Sequence, residues 1–273
     1  NNSESIRVNW YRSIEFLKDF GGQTIMFSQI DTKFCENFKS YLLTAKSGSN
    51  KEAIISQNTA STYFSVFKAA LKQAFIDGYF TTDISAKIKA IPHEESRREY
   101  LTLDELNTLV ETPCELEVLK RAALFSALTG LRHSDIQKLT WHEISIENDQ
   151  AKINFTQKKT KGVDYMPMSN QALQLCGEVG LPNDLIFKNL TNPAWISRPL
   201  KKWIESAGIT KKITFHNFRH TFATLQLSSG TDIYTVSKML GHTNVKTTQV
   251  YAKVVDEKKN KASQAIHLNS LGN

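Results

Sequence analysis

A chain of 273 residues with 40% apolar content has room for two domains of ordinary size, each with a packed core. No run of about 18 apolar residues offers a membrane span, and no secretory apolar stretch opens the chain. Lys and Arg number 34 against 27 Asp and Glu, a formal charge of +7 that favours a polyanionic partner. Cys35, Cys114 and Cys176 lie far apart without C-x-x-C spacing, which points to free thiols in a reducing cytoplasm. The chain opens Asn1-Asn2-Ser3 rather than with Met, as an excised or processed chain would.

In chain order, Ile6, Trp10, Ile14 and Leu17 recur at spacings of three and four, which predicts an amphipathic helix over 5–20, ended by Gly21-Gly22. Asp31 is the expected cap of a second helix carrying Phe34, Phe38, Tyr41 and Leu42, and a polar loop follows over 46–50. A third helix is expected over about 56–77, with Tyr63, Phe67, Leu71, Ala74 and Phe75 towards the core. A fourth, opened by Asp83, is expected to run to Ile91-Pro92, giving a four-helix bundle over 1–92. The third helix begins with small polar residues, among them Asn58, Thr59 and Thr62, and carries Lys68 and Lys72 on its exposed side. Such a face is either solvated or set against phosphates.

The stretch 93–100 is charged, contains no apolar residue before Tyr100 and reads as a linker, with Arg97 and Arg98 either solvated or on a phosphate backbone. A second domain, 101–273, then opens at the capping box Thr102-Leu103-Asp104-Glu105. A helix over about 116–129 delivers Gly130 and Arg132, and Gly130 is expected to take a backbone conformation that other residues resist. Asp135 either orients an active-site Arg or His or caps the next helix. Over 144–168 the period changes: Ile153 and Phe155, then Val163 and Tyr165, alternate as strands about a turn bearing Lys158, Lys159 and Lys161. Helical patterns return from Gln171, with Trp195, Leu200, Trp203 and Ile204 expected in the core.

His216, Arg219 and His220 fall at i, i+3 and i+4 on one helix face. Gly241 should cap a helix ending at Leu240 and fix His242 just beyond it, and Asn244 should cap a last helix carrying Tyr251. His216 and His220 have the spacing of a zinc site, but Asn217 stands where a zinc protease needs Glu, and no Cys pair is near. No metal and no cofactor is expected. Two imidazoles, a guanidinium and a phenol within one short stretch suit holding a phosphate while a hydroxyl attacks it.

Thr129-Gly130-Leu131-Arg132-His133-Ser134-Asp135, a Lys-Thr hairpin, His216-x-x-Arg219-His220, Leu240-Gly241-His242 and Tyr251 together resemble the tyrosine recombinase (phage integrase) family, in that family's order. The likeness to its catalytic domain covers roughly 100–255, and a weaker likeness to its core-binding domain covers roughly 1–92. The implied fold is mainly α with a small β-hairpin or sheet: an N-terminal four-helix, SAM-like core-binding bundle and an α-rich tyrosine-recombinase catalytic domain. The resemblance implies a site-specific recombinase or integrase, the enzyme of a mobile element or a related system. It would cleave and rejoin double-stranded DNA through a 3′-phosphotyrosine and a four-way Holliday junction, without metal or ATP.

In that mechanism Tyr251 is the nucleophile, Arg132 and Arg219 clamp the non-bridging oxygens, and His216 takes the phenol proton. His242 donates to a phosphate oxygen. A hairpin lysine protonates the departing 5′ oxygen; Lys159 fits best, with Lys158 and Lys161 as competitors and DNA contacts. Asp135 and His220 are accessory. Asn58, Thr59, Thr62, Lys68, Arg97 and Arg98 are expected on DNA. The family implies a homotetramer on paired sites joined through the C-terminal tail, here 258–268, and a cytoplasmic, nucleoid-associated place. Its N-terminal arm-binding domain would be absent or removed. Two alternatives stay open: relaxation of DNA in the manner of a type IB topoisomerase, and a non-catalytic architectural DNA-binding protein.

Overall fold

The computed structural model describes residues 4–47, 52–94, 98–156 and 163–252. The chain forms two compact units, 1–96 and 97–273. Within the described residues the fold is helical except for one three-stranded sheet, and no helix there is long and apolar enough to cross a membrane. All three cysteines are free.

The first unit contains α1 (Glu4–Gly21), α2 (Thr32–Thr44), α3 (Gln57–Ile76) and α4 (Ile84–Lys87). Asp31 caps α2 through Phe34 N at 2.7 Å, and Ser56 and Asp83 cap α3 and α4 in the same way. Its core gathers Phe16, Phe38, Leu42, Phe64, Phe67 and Leu71 with Ile88 and Ile91. Two expectations are corrected here. In α1, Ile6, Trp10 and Ile14 remain 43%, 38% and 45% exposed, and the buried face is Ser13 and Phe16 with Leu17 and Phe20 packed beside them. Burying Phe16 and Phe20 brings four aromatic contacts, to Tyr63, Phe34, Phe38 and Tyr41 at 5.2–5.5 Å. The Ser13 hydroxyl fits that face because it donates to Tyr63 O at 2.9 Å. The fourth helix is one turn only. Ile88 is already extended, and the chain continues to Pro92, whose ring disfavours helix in the residue before it.

The second unit contains α5 (Leu103–Glu111), α6 (Glu117–Thr129), α7 (His133–Ile136), β1 (Ile144–Glu147), β2 (Gln150–Thr156), β3 (Val163–Pro167), α8 (Asn170–Cys176), α9 (Pro193–Ser206), α10 (Phe215–Ser228), α11 (Ile233–Met239) and α12 (Lys246–Ala252). The capping box of Thr102 and Glu105 opens α5 as expected. The sheet is antiparallel in the order β1-β2-β3, and Asn148 and Asp149, both at positive φ, make the tight turn between the first two strands.

Buried α6 packs against α10, and the indole of Trp203 stacks on Phe218 of α10 at 6.1 Å. In α9 the core stripe is Ile196, Leu200, Trp203 and Ile204; Trp195 does not join it and is 78% exposed. It lies in the first turn, one residue and about 100° round from Ile196, so its ring points to solvent. A smaller cluster of Phe222, Ala223, Leu227, Val236, Leu240 and Tyr251 joins α10, α11 and α12.

Candidate active site

α6 ends at Gly130, whose φ of 71° lies in the left-handed region. A Cβ there would sit 2.6 Å from Phe222 Cδ1, so the position excludes a side chain on steric grounds as well. This turn leads the chain to Arg132 and presents the Gly130 carbonyl to α10. Arg219, only 2% exposed, donates from Nη1 to that carbonyl at 2.6 Å and from Nη2 to Leu240 O. Its Nη2 also lies 3.1 Å from His242 Nε2. Burial, and then the charge of Arg132, bring the Arg219 pKa down to about 10. It keeps its charge at neutral pH.

Gly241 takes φ 61° after α11, as a helix-ending glycine should, and places His242 beside Arg219. Arginine only donates, so His242 Nε2 accepts and its Nδ1 carries the hydrogen. That Nδ1–H donates to Thr248 Oγ1 at 2.8 Å, on α12. Burial, with Arg219, Arg132 and Arg98 behind it, holds the His242 pKa at about 4, and the ring is neutral. Asn244 accepts Lys246 N at 2.9 Å at the start of α12, which matches its expected capping position.

Tyr251 is 3% exposed, with its ring in the small apolar cluster and its oxygen 2.7 Å from His220 Nδ1. His220 rather than His216 thus reaches the phenol. His216 stands one turn earlier, open to solvent, its ring edge-on to that of His220 at 4.5 Å. Although the residue as a whole is exposed, crowding of its ring, then Arg219, Arg98 and Arg132, lower its pKa. His220, buried beside His216 and Arg98, falls to about 3. Burial raises the Tyr251 pKa against the opposing pull of Arg98, Arg219 and Arg132.

Arg132 is half-exposed, and its Nη1 lies 3.8 Å from Asp135 Oδ2. Asp135 is the third residue of α7, whose N-cap is Arg132, so its carboxylate sits by the arginine and does not cap the helix. Arg98, a linker residue, is expected on the DNA backbone because a linker between two domains that clamp a duplex crosses it. It lies beside His220: Nη1 is 3.5 Å from His220 Nε2, and its charge acts on the Tyr251 phenol. No motif in the sequence marks it. Beside Arg132 and His216 opens a cleft of about 480 Å³, with Pro193, Ile196, Leu200 and Ile213 in its walls.

Four of the other expected DNA contacts belong to the first unit. Asn58, Thr59, Thr62 and Lys68 lie on α3 of the first unit and already have partners there. Asn58 bonds Glu94 N and O, Thr59 meets Ser56, Thr62 donates to Asn58 O, and Lys68 donates to Ile88 O at 2.6 Å. Arg97, Lys158, Lys159, Lys161 and the tail 258–268 lie outside the described residues. Among the described residues, no three His, Cys, Asp or Glu side chains group so as to hold a metal ion.

Residues 99–258 match the model of the phage integrase family, and residues 1–90 match the phage integrase SAM-like domain. A tyrosine recombinase of Thermosipho africanus is 28% identical, over 74% of this chain and 74% of its own length. Tyrosine recombinase XerC of Pelotomaculum thermopropionicum is 24% identical, over 99% and 93%. Among solved structures, the Tn1549 transposon integrase in complex with transposon right end DNA superposes with a TM-score of 0.74 at 17% identity, over 97% of this chain and 94% of that one. With 160 of its 273 residues inside one family model, this chain belongs to the phage integrase family, the tyrosine recombinases, enzymes of site-specific recombination that cleave and rejoin DNA through a tyrosine intermediate.

Proposed function

We propose that this chain recombines double-stranded DNA at specific sites with Tyr251 as nucleophile, and that the cluster around Arg219 is its catalytic centre. The observation that carries this is a buried phenol under the charge of Arg98, Arg219 and Arg132, with His242 on Arg219 and Asp135 as the carboxylate beside Arg132. A phenol of ordinary pKa near 10 is a weak nucleophile at pH 7, and a phosphodiester repels anions. Arg132 and Arg219 answer the second difficulty by binding the non-bridging oxygens as charge grows on the pentacoordinate phosphorus.

His216, neutral, open to solvent and one turn before His220, is assigned to take the phenol proton, while His220 is the ring that touches the phenol. A phosphate anion arriving beside His242 raises that ring's basicity; a proton taken from solvent at Nε2 then lets the ring donate to a phosphate oxygen while Nδ1–H stays on Thr248. Tyr251 Oη then bonds to phosphorus as the bond to the 5′ oxygen breaks, leaving a 3′-phosphotyrosine. Lys159 protonates the departing oxygen, with Lys158 and Lys161 beside it on the hairpin. Attack by the 5′ hydroxyl of a partner strand reverses the step, so no ATP is consumed. Two such exchanges pass through a Holliday junction, the kind of DNA to which lambda integrase, at 19% identity and TM-score 0.67, is bound as a tetramer. Residues 1–92 serve as the core-binding domain, 93–100 as the linker and 101–273 as the catalytic domain. The tail 258–268 joins protomers of a tetramer that works on nucleoid DNA in the cytoplasm.

The test is Tyr251→Phe on the DNA flanking the gene. It should bind as the parent does and leave no SDS-resistant protein–DNA adduct; an adduct in that variant removes Tyr251 from the role. A site with sulfur in the bridging 5′ position tests the acid. Lys159→Ala should cut the ordinary site slower by on the order of 10² to 10⁴ and the sulfur site at nearly the parental rate. Rescue of Lys158→Ala or Lys161→Ala in its place would move the role to that residue.

A further inference from the structure

The phenol oxygen of Tyr251 has two neighbours that the proposed chemistry leaves unused, His220 and Arg98. His220 Nδ1 is 2.7 Å from the phenol oxygen, and its Nε2 is 3.5 Å from Arg98 Nη1. Guanidinium has donors only, so the imidazole nitrogen facing it must offer a lone pair, and the ring's hydrogen is left on Nδ1. The Nδ1–H therefore points at the phenol oxygen as donor. The same arrangement occurs on the other side of the site, where Arg219 faces His242 Nε2 and Nδ1 donates to Thr248.

We propose that His220 is a positioning residue for the nucleophile: Arg98 fixes its tautomer, and its Nδ1–H holds the Tyr251 oxygen from one side, leaving the phenol hydrogen to be taken from the other. The consequence is differential. A hydrogen bond donated to an oxygen is stronger when that oxygen is a phenolate, so the pair favours loss of the proton in a buried place that otherwise opposes it. His220 is neutral and its lone pair is engaged by Arg98, so it is not itself the base. The charged and titratable groups facing Tyr251 and this pair are Arg98, Arg132, Arg219, His216 and His242.

This inference rests on Tyr251 being the nucleophile, but its first readouts do not depend on turnover. With ¹⁵N-labelled histidine, the parent should show the His220 hydrogen on Nδ1, and a hydrogen on Nε2 overturns the proposal. With 3-fluorotyrosine incorporated, the Tyr251 resonance, identified by its loss in Tyr251→Phe, reports the phenol titration by ¹⁹F NMR. His220→Phe should raise its midpoint by about one pH unit. His220→Asn, whose amide N–H stands near the Nδ1 position, should keep the midpoint near the parental value. Arg98→Ala should raise it and Arg98→Lys should restore it. A midpoint unmoved in both His220→Phe and Arg98→Ala overturns the proposal.

In single-turnover cleavage, His220→Phe should be slower on the order of tenfold at pH 7 and regain the parental rate as pH rises. A loss equal at every pH would mean that His220 is only structural. If the NMR results hold while the parent forms no covalent adduct with DNA, the positioning stands and the assigned reaction falls.

Discussion

The start of α3 in the first unit and the cluster around Arg219 in the second are both rich in polar side chains, and they use them in opposite ways. On α3, Asn58 closes on Glu94, Thr62 on Asn58 and Lys68 on the Ile88 carbonyl, while Lys72 pairs with Asp83 at 2.7 Å. Each group there meets a carbonyl, an amide or a carboxylate of its own unit. Around Arg219, three arginines and three histidines gather, and among the described residues the ion pair they make is the long one from Arg132 to Asp135, at 3.8 Å. Compensated polarity holds a fold, whereas uncompensated positive charge has to be completed by an anion from outside. A DNA phosphate has that charge.

The comparison is sharpened most by Arg132→Ala. Its side chain is half-exposed and its ion pair with Asp135 is long, so the folded state should hardly notice. Cleavage should fall by on the order of 10² to 10³, the loss usual for one donor to a developing oxyanion. A parental cleavage rate would show that the phosphate does not enter there. Arg219→Ala should lose both activity and stability, since it orphans the carbonyls of Gly130 and Leu240 in a buried place. About 1–3 kcal/mol per carbonyl is the expected cost in a urea melt, and an unchanged melt would contradict the buried geometry.

Acid should act on the second region. His220 and His242 have folded pKa values of about 3 and about 4, well under the ordinary 6.5, so the unfolded chain binds protons that the folded chain refuses. Their contribution to stability is whole above about pH 6.5 and is lost as pH falls, towards about 4 for His242 and about 3 for His220. The slope is at most about 1.4 kcal/mol per pH unit for each ring. His220→Phe should flatten that slope in melts of the whole chain; a slope as steep as the parent's would show that the ring is protonated when folded.

The smallest effects belong to α3. Lys68→Ala and Asn58→Ala should each cost the fold about 1 kcal/mol and leave the salt dependence of DNA binding unchanged. A slope lower by about one unit in Lys68→Ala, or weaker DNA binding at an unchanged slope in Asn58→Ala, would place that residue against the DNA backbone, as its place in the sequence suggests.

Much of the site is legible in the sequence because its pieces sit at helix ends, where a few residue types carry the geometry. Gly130 and Gly241 take the left-handed conformations their positions imply, and Asn244 opens the last helix. The pairing of His220 with Tyr251 is not legible. His216 and His220 share one face with Arg219 when drawn on an isolated helix, and only packing of α12 on α10 chooses between them. Arg98 is invisible for the same reason, being brought to the site by the path of the chain. In α1 and at Trp195 the apolar pattern misleads, because a helix faces its core with the side that packs the most surface, not with every apolar residue it has.

Thr248 and Tyr251 are three residues apart on the same short helix, both buried, and each is held by a different histidine of the cluster. The seven residues of α12 are therefore a mechanical interlock: one element carries the buried phenol and also the hydroxyl that accepts from His242 Nδ1. Any displacement of α12 that withdraws Tyr251 also releases His242 from Thr248. A protomer with Tyr251 withdrawn is in consequence one in which His242 has lost its Thr248 partner, so the two contacts are made and broken together.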